Sequence, residues 1–218
     1  MKLPSLNLGR KNNIKVLPLI GVGLAEFIGT AILAFAVLST NEFAPGLAPF
    51  SAGVTLLFLM YVLGPISGSQ VNPGVTVGLV AARKYPLVGG VVNVLAQILG
   101  AFYAVSLVEL LAAKKVTVPV VASSTALAET VGLFILALAM TAIVTRVVSD
   151  DARGLTAGAA LFVAVLVSLA FSGGLVNPAI AIASGANLGA YVLWPLVGGV
   201  LGSVIFSFLW AVNNKLAR

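Results

Sequence analysis

The sequence predicts an all-α membrane protein with six transmembrane helices, two short re-entrant half-helices and an inverted repeat. Three observations predict this fold class. Of the 218 residues, 60% are hydrophobic and only 8% are charged, whereas a soluble domain carries about 25% charged residues. Long apolar spans alternate with short polar breaks, and the first half of the chain recurs in the second. We therefore expect one membrane domain over residues 16–218.

The apolar spans follow one another along the chain between polar or turn-rich breaks. Each long span has close to the length of about 20 residues that crosses a hydrocarbon core as a helix. Two shorter apolar stretches, at about 73–82 and 178–186, are too short to cross at a rise of about 1.5 Å per residue. The six long spans lie at about 16–39, 50–66, 87–112, 120–148, 155–172 and 190–212.

Loop charges predict the orientation of these spans. With six spans, only Lys114 and Lys115 fall on one side of the membrane, and all other basic residues fall on the opposite side. Basic loops remain in the cytoplasm, so both termini are expected there. Residues 1–15 are interpreted as a cytoplasmic leader. A cleavable signal peptide fits poorly, because the apolar stretch is too long and has no isolated small-residue cleavage site.

Composition also argues against an enzyme. The chain has neither cysteine nor histidine, and it has only six acidic residues. Disulfides, thiolate chemistry and the commonest general base and metal ligand are therefore absent. The net charge of +6 is spread over short loops rather than gathered in a patch. We expect no catalytic residues, no metal, no cofactor and no nucleic-acid partner.

An internal repeat divides the domain into one half at about 16–112 and another at about 120–212. Residues 25–30 (Ala-Glu-Phe-Ile-Gly-Thr) recur as residues 128–133 (Ala-Glu-Thr-Val-Gly-Leu). Residues 67–74 (Ser-Gly-Ser-Gln-Val-Asn-Pro-Gly) recur as residues 172–179 (Ser-Gly-Gly-Leu-Val-Asn-Pro-Ala). Three spans per half is an odd number, so the halves insert in opposite orientations. Such repeats place equivalent elements face to face near the midplane.

The two Asn-Pro motifs are expected to begin the half-helices. Asparagine is a strong N-cap and proline suits the first helical turn. The motifs comprise Asn72, Pro73 and Gly74 in the first half and Asn177, Pro178 and Ala179 in the second. Either motif alone is more typical of an ordinary turn, but two at equivalent places favour paired half-helices.

The residues before the asparagines should line a passage. Irregular backbone at membrane depth is tolerated only where protein buries it or water lines it. Two helix N-termini meeting at the centre would repel cations, and the asparagine N–H groups would orient neutral solutes. We expect a ladder of backbone carbonyl acceptors from Gly68, Ser69, Gln70, Val71, Gly173, Leu175 and Val176.

On these motifs the chain resembles the aquaporin or major intrinsic protein family. The likeness covers nearly everything after residue 15, and Ser-Gly-x-x-x-Asn-Pro-Gly-Val-Thr-x-Gly at 67–78 is especially specific. The resemblance implies a passive channel for water or small uncharged solutes, one pore per subunit and a homotetramer. It also implies that Glu26 and Glu129 hold the pore loops. An intramembrane carboxylate is costly unless it is hydrogen-bonded.

The sequence departs from the family pattern at the outer filter. Family members usually carry arginine directly after the second motif, and here the residue is Ile180. Alignment from the motifs gives a constriction of Ala52, Val165, Gly174 and Ile180. The apolar filter leaves two readings open, a wide permissive passage or a hydrophobic constriction that closes by dewetting. Gly74 replaces the usual alanine of the first motif, a small change that should leave the cap intact.

Water is the first expected solute, and a glycerol, urea or ammonia facilitator with a wide apolar filter is the alternative. Glycerol facilitators typically have aspartate where this chain has Ala181, which weakens that assignment. Two further alternatives are an ion-coupled secondary transporter and a closed structural membrane protein. The predicted setting is the lipid bilayer of the plasma or cell membrane.

Overall fold

A computed structural model describes residues 16–117 and 119–216, so the predicted leader over 1–15 lies outside the described residues. Within those ranges the chain forms nine α-helices. A 3₁₀ turn at Pro45–Leu47 precedes the second helix, and a π-helical turn at Gly189–Leu193 precedes the last. The helices are α1 Val16–Phe43, α2 Ala48–Val62, α3 Gly64–Ser67, α4 Pro73–Ala81, α5 Leu87–Ala112, α6 Thr125–Val144, α7 Arg153–Leu169, α8 Pro178–Ser184 and α9 Trp194–Leu216.

Six of these helical segments correspond to the six predicted spans. Among the described residues, five are long and apolar enough to cross a membrane: Pro18–Phe43, Pro45–Val62, Leu87–Ala112, Thr125–Val144 and Gly189–Lys215. The sixth, α7, has 17 residues, which is at the short end of the range of about 17–25 for a spanning helix. The predicted all-α membrane fold is confirmed.

Helix ends differ from the sequence-based bounds where local chemistry stops a helix. The predicted span at 50–66 divides into α2 and α3, because Pro65 has no N–H with which to continue the backbone ladder. The predicted span at 120–148 shortens to α6. Before that helix, the Thr125 hydroxyl accepts a hydrogen bond from the Ala122 backbone N–H at 2.9 Å, so residues 122–124 form a turn.

Helix contacts follow the pattern that an inverted repeat requires. Helix α1 packs on α5 as α6 packs on α9, and α1 meets α2 as α6 meets α7. Contact between α2 and α7 joins the halves. Each half-helix packs on a long helix of the other half, α4 on α9 and α8 on α5. The halves are therefore interleaved, and neither half-helix is supported by its own half alone.

Close packing of α4 explains why the first motif has glycine. A Cβ built at Gly74 would overlap the Cδ2 atom of Leu133 on α6, and a Cβ at Gly199 on α9 would overlap the Gly74 carbonyl oxygen. Leu133 is itself fully buried, with 0% exposure. Gly74 and Leu133 therefore fit together as a pair, with the leucine filling the space that an alanine methyl would need.

We predict that Gly74→Ala lowers the free energy of unfolding in detergent by about 1–3 kcal/mol, the usual effect of overpacking a core. Thermal unfolding monitored by circular dichroism would measure it. Leu133→Val in the same chain should restore much of the loss, because it removes the clashing Cδ2. Gly21→Ala on α1 is the control, since nothing lies within 4 Å of a Cβ there. Equal stability of the Gly74→Ala and Gly21→Ala proteins would contradict the packing account.

Candidate functional site

The two predicted half-helices begin at Asn72 and Asn177. Each asparagine caps its own helix: Asn72 Oδ1 accepts from the Gly74 N–H at 2.9 Å, and Asn177 Oδ1 accepts from the Ala179 N–H at 3.0 Å. Proline occupies the first helical position of both α4 and α8. The sequence-based interpretation of the motifs as N-caps agrees with this geometry.

The side-chain amides of the two asparagines cross between the halves. Asn72 Nδ2 donates to the Val176 carbonyl at 2.7 Å, and Asn177 Nδ2 donates to the Val71 carbonyl at 2.9 Å. Both asparagines are only 2% exposed. An amide nitrogen has two hydrogens, so each keeps one hydrogen that these bonds do not use. The half-helices thus meet N-terminus to N-terminus with their caps linked reciprocally.

This crossing involves two members of the predicted carbonyl ladder, Val71 and Val176. Their carbonyls accept from Asn177 and Asn72, and each keeps a second lone pair. These two bonds join segments that lie far apart in the sequence. The remaining predicted ladder residues lie in the loops directly before the half-helices: Gly68, Ser69, Gln70, Gly173 and Leu175.

Glu26 binds the first loop from inside α1. Its Oε1 accepts from the Ser67 hydroxyl at 2.6 Å and the Gln70 N–H at 2.9 Å. Its Oε2 accepts from the Val71 N–H and from Gln97 Nε2, both at 2.7 Å. Every partner is a donor, which suits a carboxylate that only accepts. The predicted loop-holding contact is present.

Glu129 binds the second loop in the same way from α6. Its Oε1 accepts from the Ser172 hydroxyl at 2.6 Å and the Leu175 N–H at 3.1 Å. The Ser168 hydroxyl donates to the same oxygen at 3.1 Å, and the Val176 N–H donates to Oε2 at 2.6 Å. Glu26 and Glu129 are both 0% exposed. The two carboxylates thus satisfy equivalent backbone groups in the two halves.

The loops that these glutamates hold are strained. Val71 has φ +43° and Val176 has φ +44°, values that are unusual for a β-branched residue. Such conformations cost about 1–3 kcal/mol each and persist only where the surroundings hold them. The bonds from the Val71 and Val176 N–H groups to Glu26 and Glu129 supply that hold. The same backbone conformation directs the carbonyls of Val71 and Val176 toward the asparagine of the opposite half.

The four predicted constriction residues all lie in the interior. Ala52 on α2, Val165 on α7 and Ile180 on α8 are 0%, 2% and 1% exposed, and all three belong to one hydrophobic core cluster. Gly174 is buried in the second loop with φ +63°. No side chain of these four carries a polar group, and their grouping as a constriction stays a prediction.

The chain matches the family model described as Major intrinsic protein over residues 13–209. It is 31% identical to Aquaporin Z of Rhodopseudomonas palustris, with 85% of this chain and 92% of that protein covered. It is 30% identical to Glycerol uptake facilitator protein-like 6 of Lactiplantibacillus plantarum, with 83% and 94% covered. The chain belongs to the major intrinsic protein family. The match and the relatives support a transmembrane channel for water and small solutes.

A solved structure has the same fold. The chain superposes on the X-ray structure of the aquaglyceroporin from Plasmodium falciparum with a TM-score of 0.66 at 23% identity. The likeness covers 88% of this chain and 95% of that one. At that identity the comparison supports the fold alone. Members of the major intrinsic protein family are transport channels, and this chain is an integral membrane protein.

Gln97 and Tyr191 also support the loops, and no motif in the sequence singles them out. Gln97 donates to Glu26 Oε2 at 2.7 Å and to the Thr76 hydroxyl at 3.0 Å. Tyr191 is fully buried, and its hydroxyl accepts from the Gly173 N–H at 3.1 Å. Their polarity within apolar spans was the available signal, but no spacing linked them to the loops.

We predict that Glu26→Gln lowers the free energy of unfolding by about 1–3 kcal/mol. One acceptor oxygen becomes an NH₂ group facing the loop donors, so at least one buried N–H loses its partner. Thermal unfolding in detergent would measure the change. Glu109→Gln is the matched control, because Glu109 pairs with the highly exposed Lys115 and surface pairs contribute little. A loss no larger than that of the control would argue against the anchoring role.

Proposed function

We propose that this chain is a passive channel through which water, and small uncharged solutes after it, cross the membrane. The observation that carries the proposal is the reciprocal pair of asparagine bonds, Asn72 to Val176 and Asn177 to Val71. These bonds fix two helix N-termini against each other at the centre of a passage between the halves. Each asparagine would offer its remaining N–H to the oxygen of a passing molecule.

Exclusion of cations follows from the same arrangement. Each helix N-terminus carries about half a positive charge, and α4 and α8 direct theirs toward one another. A cation at the centre would lose hydration and meet two positive ends, while a neutral molecule would meet hydrogen-bond donors. Pore diameter, lining donors and such electrostatic barriers are the usual origins of selectivity in channels.

The proposed outer constriction is formed by Ala52, Val165, Gly174 and Ile180. Without arginine at position 180 it has no fixed cation and no side-chain donor. Such a filter suits solutes that are larger than water or less strongly hydrated, which favours glycerol, urea or ammonia as alternatives to water. The name of the Lactiplantibacillus plantarum relative, a glycerol uptake facilitator-like protein, is compatible with that choice.

A closed structural membrane protein is the second candidate. The observation that favours it is burial: Ala52, Val165 and Ile180 are at most 2% exposed, as are both asparagines. A narrow apolar passage gates by dewetting. Flux measurements separate the two candidates directly.

We predict that proteoliposomes containing the wild-type chain shrink or swell faster than empty liposomes in stopped-flow light scattering with water, glycerol and urea gradients. Ile180→Arg should reduce glycerol and urea permeability about tenfold or more, because a bulky cation narrows the filter. Ile180→Leu, of similar volume and polarity, is the control and should conduct like the wild type. No flux above empty liposomes, from protein shown to be folded, would favour the closed structural candidate.

The proposed assembly, membrane and orientation of the channel follow from the sequence-based expectations. The channel would be a homotetramer with one pore per subunit, spanning the plasma or cell membrane several times. It would act without covalent chemistry, cofactor or nucleic-acid partner. Both termini would face the cytoplasm, which places Lys114 and Lys115 outside the cell.

The absence of cysteine from the sequence allows a direct topology test. We predict that Lys115→Cys reacts with a membrane-impermeant maleimide in intact cells, since Lys115 is highly exposed in the loop after α5. Lys215→Cys, near the C-terminus, should react only after permeabilisation. Labelling in the opposite order would reverse the proposed orientation.

A further inference from the structure

The two pore loops have nearly the same sequence. Residues 67–73 read Ser-Gly-Ser-Gln-Val-Asn-Pro, and residues 172–178 read Ser-Gly-Gly-Leu-Val-Asn-Pro. They differ at two positions only: Ser69 corresponds to Gly174, and Gln70 corresponds to Leu175. Any functional difference between the loops themselves must come from these two side chains.

Backbone geometry does not require the polar residues of the first loop. Ser69 has φ +48° and Gly174 has φ +63°, so both loops use the left-handed region at this position. Glycine adopts that region without the steric penalty that serine has. The Gln70 and Leu175 N–H groups make equivalent bonds to Glu26 and Glu129. The fold would therefore be served as well by glycine and leucine in the first loop.

Both polar side chains are buried without a partner. Ser69 is 0% exposed and Gln70 is 2% exposed. The Ser69 Oγ and the Gln70 Oε1 find no hydrogen-bond partner within residues 16–117 and 119–216. Buried polar atoms are nearly always paired, and an exception calls for an explanation. The equivalent positions in the second loop have no side-chain polar atom at all.

We propose that Ser69 and Gln70 form a hydrogen-bonding subsite for neutral solutes that carry O–H or N–H donors, on the α4 side of the asparagine pair. The proposal rests on the channel function proposed above. A solute leaving the asparagines would donate a hydrogen bond to the side-chain Oε1 of Gln70. It would also donate to, or accept from, the Ser69 hydroxyl. On the α8 side, Gly174, Leu175 and Ile180 offer no side-chain acceptor, so only the α4 side adds side-chain acceptors to the backbone carbonyls.

Polyols and amides should depend on this subsite more than water does. Glycerol and urea have several donors that must be satisfied at once in a narrow passage, and unsatisfied donors are costly there. Water molecules in single file bond to one another and need fewer wall contacts. The chemical class that this subsite favours is therefore small neutral polyols or amides.

The decisive variant is the double substitution Ser69→Gly with Gln70→Leu, which gives the first loop the sequence of the second. We expect glycerol and urea permeability in proteoliposomes to fall about tenfold while water permeability changes less than threefold. We also expect the variant to unfold at a higher temperature than the wild type, because it removes two unpaired polar atoms and one strained serine. Its loop sequence already folds at residues 172–178 of the same chain.

Two further proteins make the result interpretable. Gln70→Met keeps the length of the side chain without its amide, and it should reduce urea permeability about threefold even if the double variant folds poorly. Ser203→Ala is the matched control: its hydroxyl on α9 is also buried and unpaired, and its removal should leave solute flux unchanged.

The outcomes separate the two proposals. If the wild type conducts and both loop variants keep glycerol and urea permeability within twofold, the subsite is refuted and the channel function stands. If the wild type conducts none of the three molecules, the channel function fails and the subsite fails with it. Loss of flux in the Ser203→Ala protein equal to that in the loop variants would also overturn the subsite, because it would trace the effect to general packing.

Discussion

The structure depends on two buried carboxylates that accept hydrogen bonds from backbone N–H groups at membrane depth. Irregular backbone inside a bilayer has no water to satisfy it, so the loops before α4 and α8 need internal acceptors. Glu26 and Glu129 provide them, each taking two backbone N–H groups and the hydroxyl of the serine that opens the loop. Without these bonds the valines would leave their left-handed backbone conformation, and the N-termini of the half-helices would no longer be held in position.

The central geometry follows from that hold. Once Val71 and Val176 are fixed with positive φ, their carbonyls are placed to accept from the opposite asparagine. Each asparagine then caps one helix and ties it to the other half. Neither bond could form if only one loop were ordered, so the centre is stabilised cooperatively. The two positive helix ends therefore meet through asparagine side chains alone, and one N–H per asparagine stays uncommitted.

The half-helices and their glutamates could be predicted from the sequence, because they depend on short local motifs and each motif occurs in both halves. Asn72-Pro73 and Asn177-Pro178 encode caps and first turns, and the recurrence of Glu26 as Glu129 indicates a shared role. The crossing bonds to Val71 and Val176, the second donor role of Gln97 and the fit of Leu133 against Gly74 could not be predicted. Each depends on how closely segments from different parts of the chain approach, and no spacing rule fixes that distance. The constriction of Ala52, Val165, Gly174 and Ile180 remains a prediction, because its basis is alignment to a pattern.

The two halves share the residues that hold the pore loops in place, but they differ in some of the side chains that the loops carry. Glutamate, the loop-opening serine, valine and asparagine make equivalent bonds in both halves, and proline follows the asparagine in both. At other positions the halves differ: Ser69 and Gln70 correspond to Gly174 and Leu175, and Gly74 corresponds to Ala179. Gln97 donates to Glu26 in the first half. A substitution among the repeated residues would disturb both halves at once, since the asparagine bonds between the halves are reciprocal. A substitution of the Ser69 or Gln70 side chain leaves the backbone bonds intact. Selectivity can therefore differ between the two sides of the centre while the fold stays nearly symmetric. The side chains that differ between the two loops, Ser69 and Gln70 in the first and Gly174 and Leu175 in the second, are therefore where we expect solute preference to be determined.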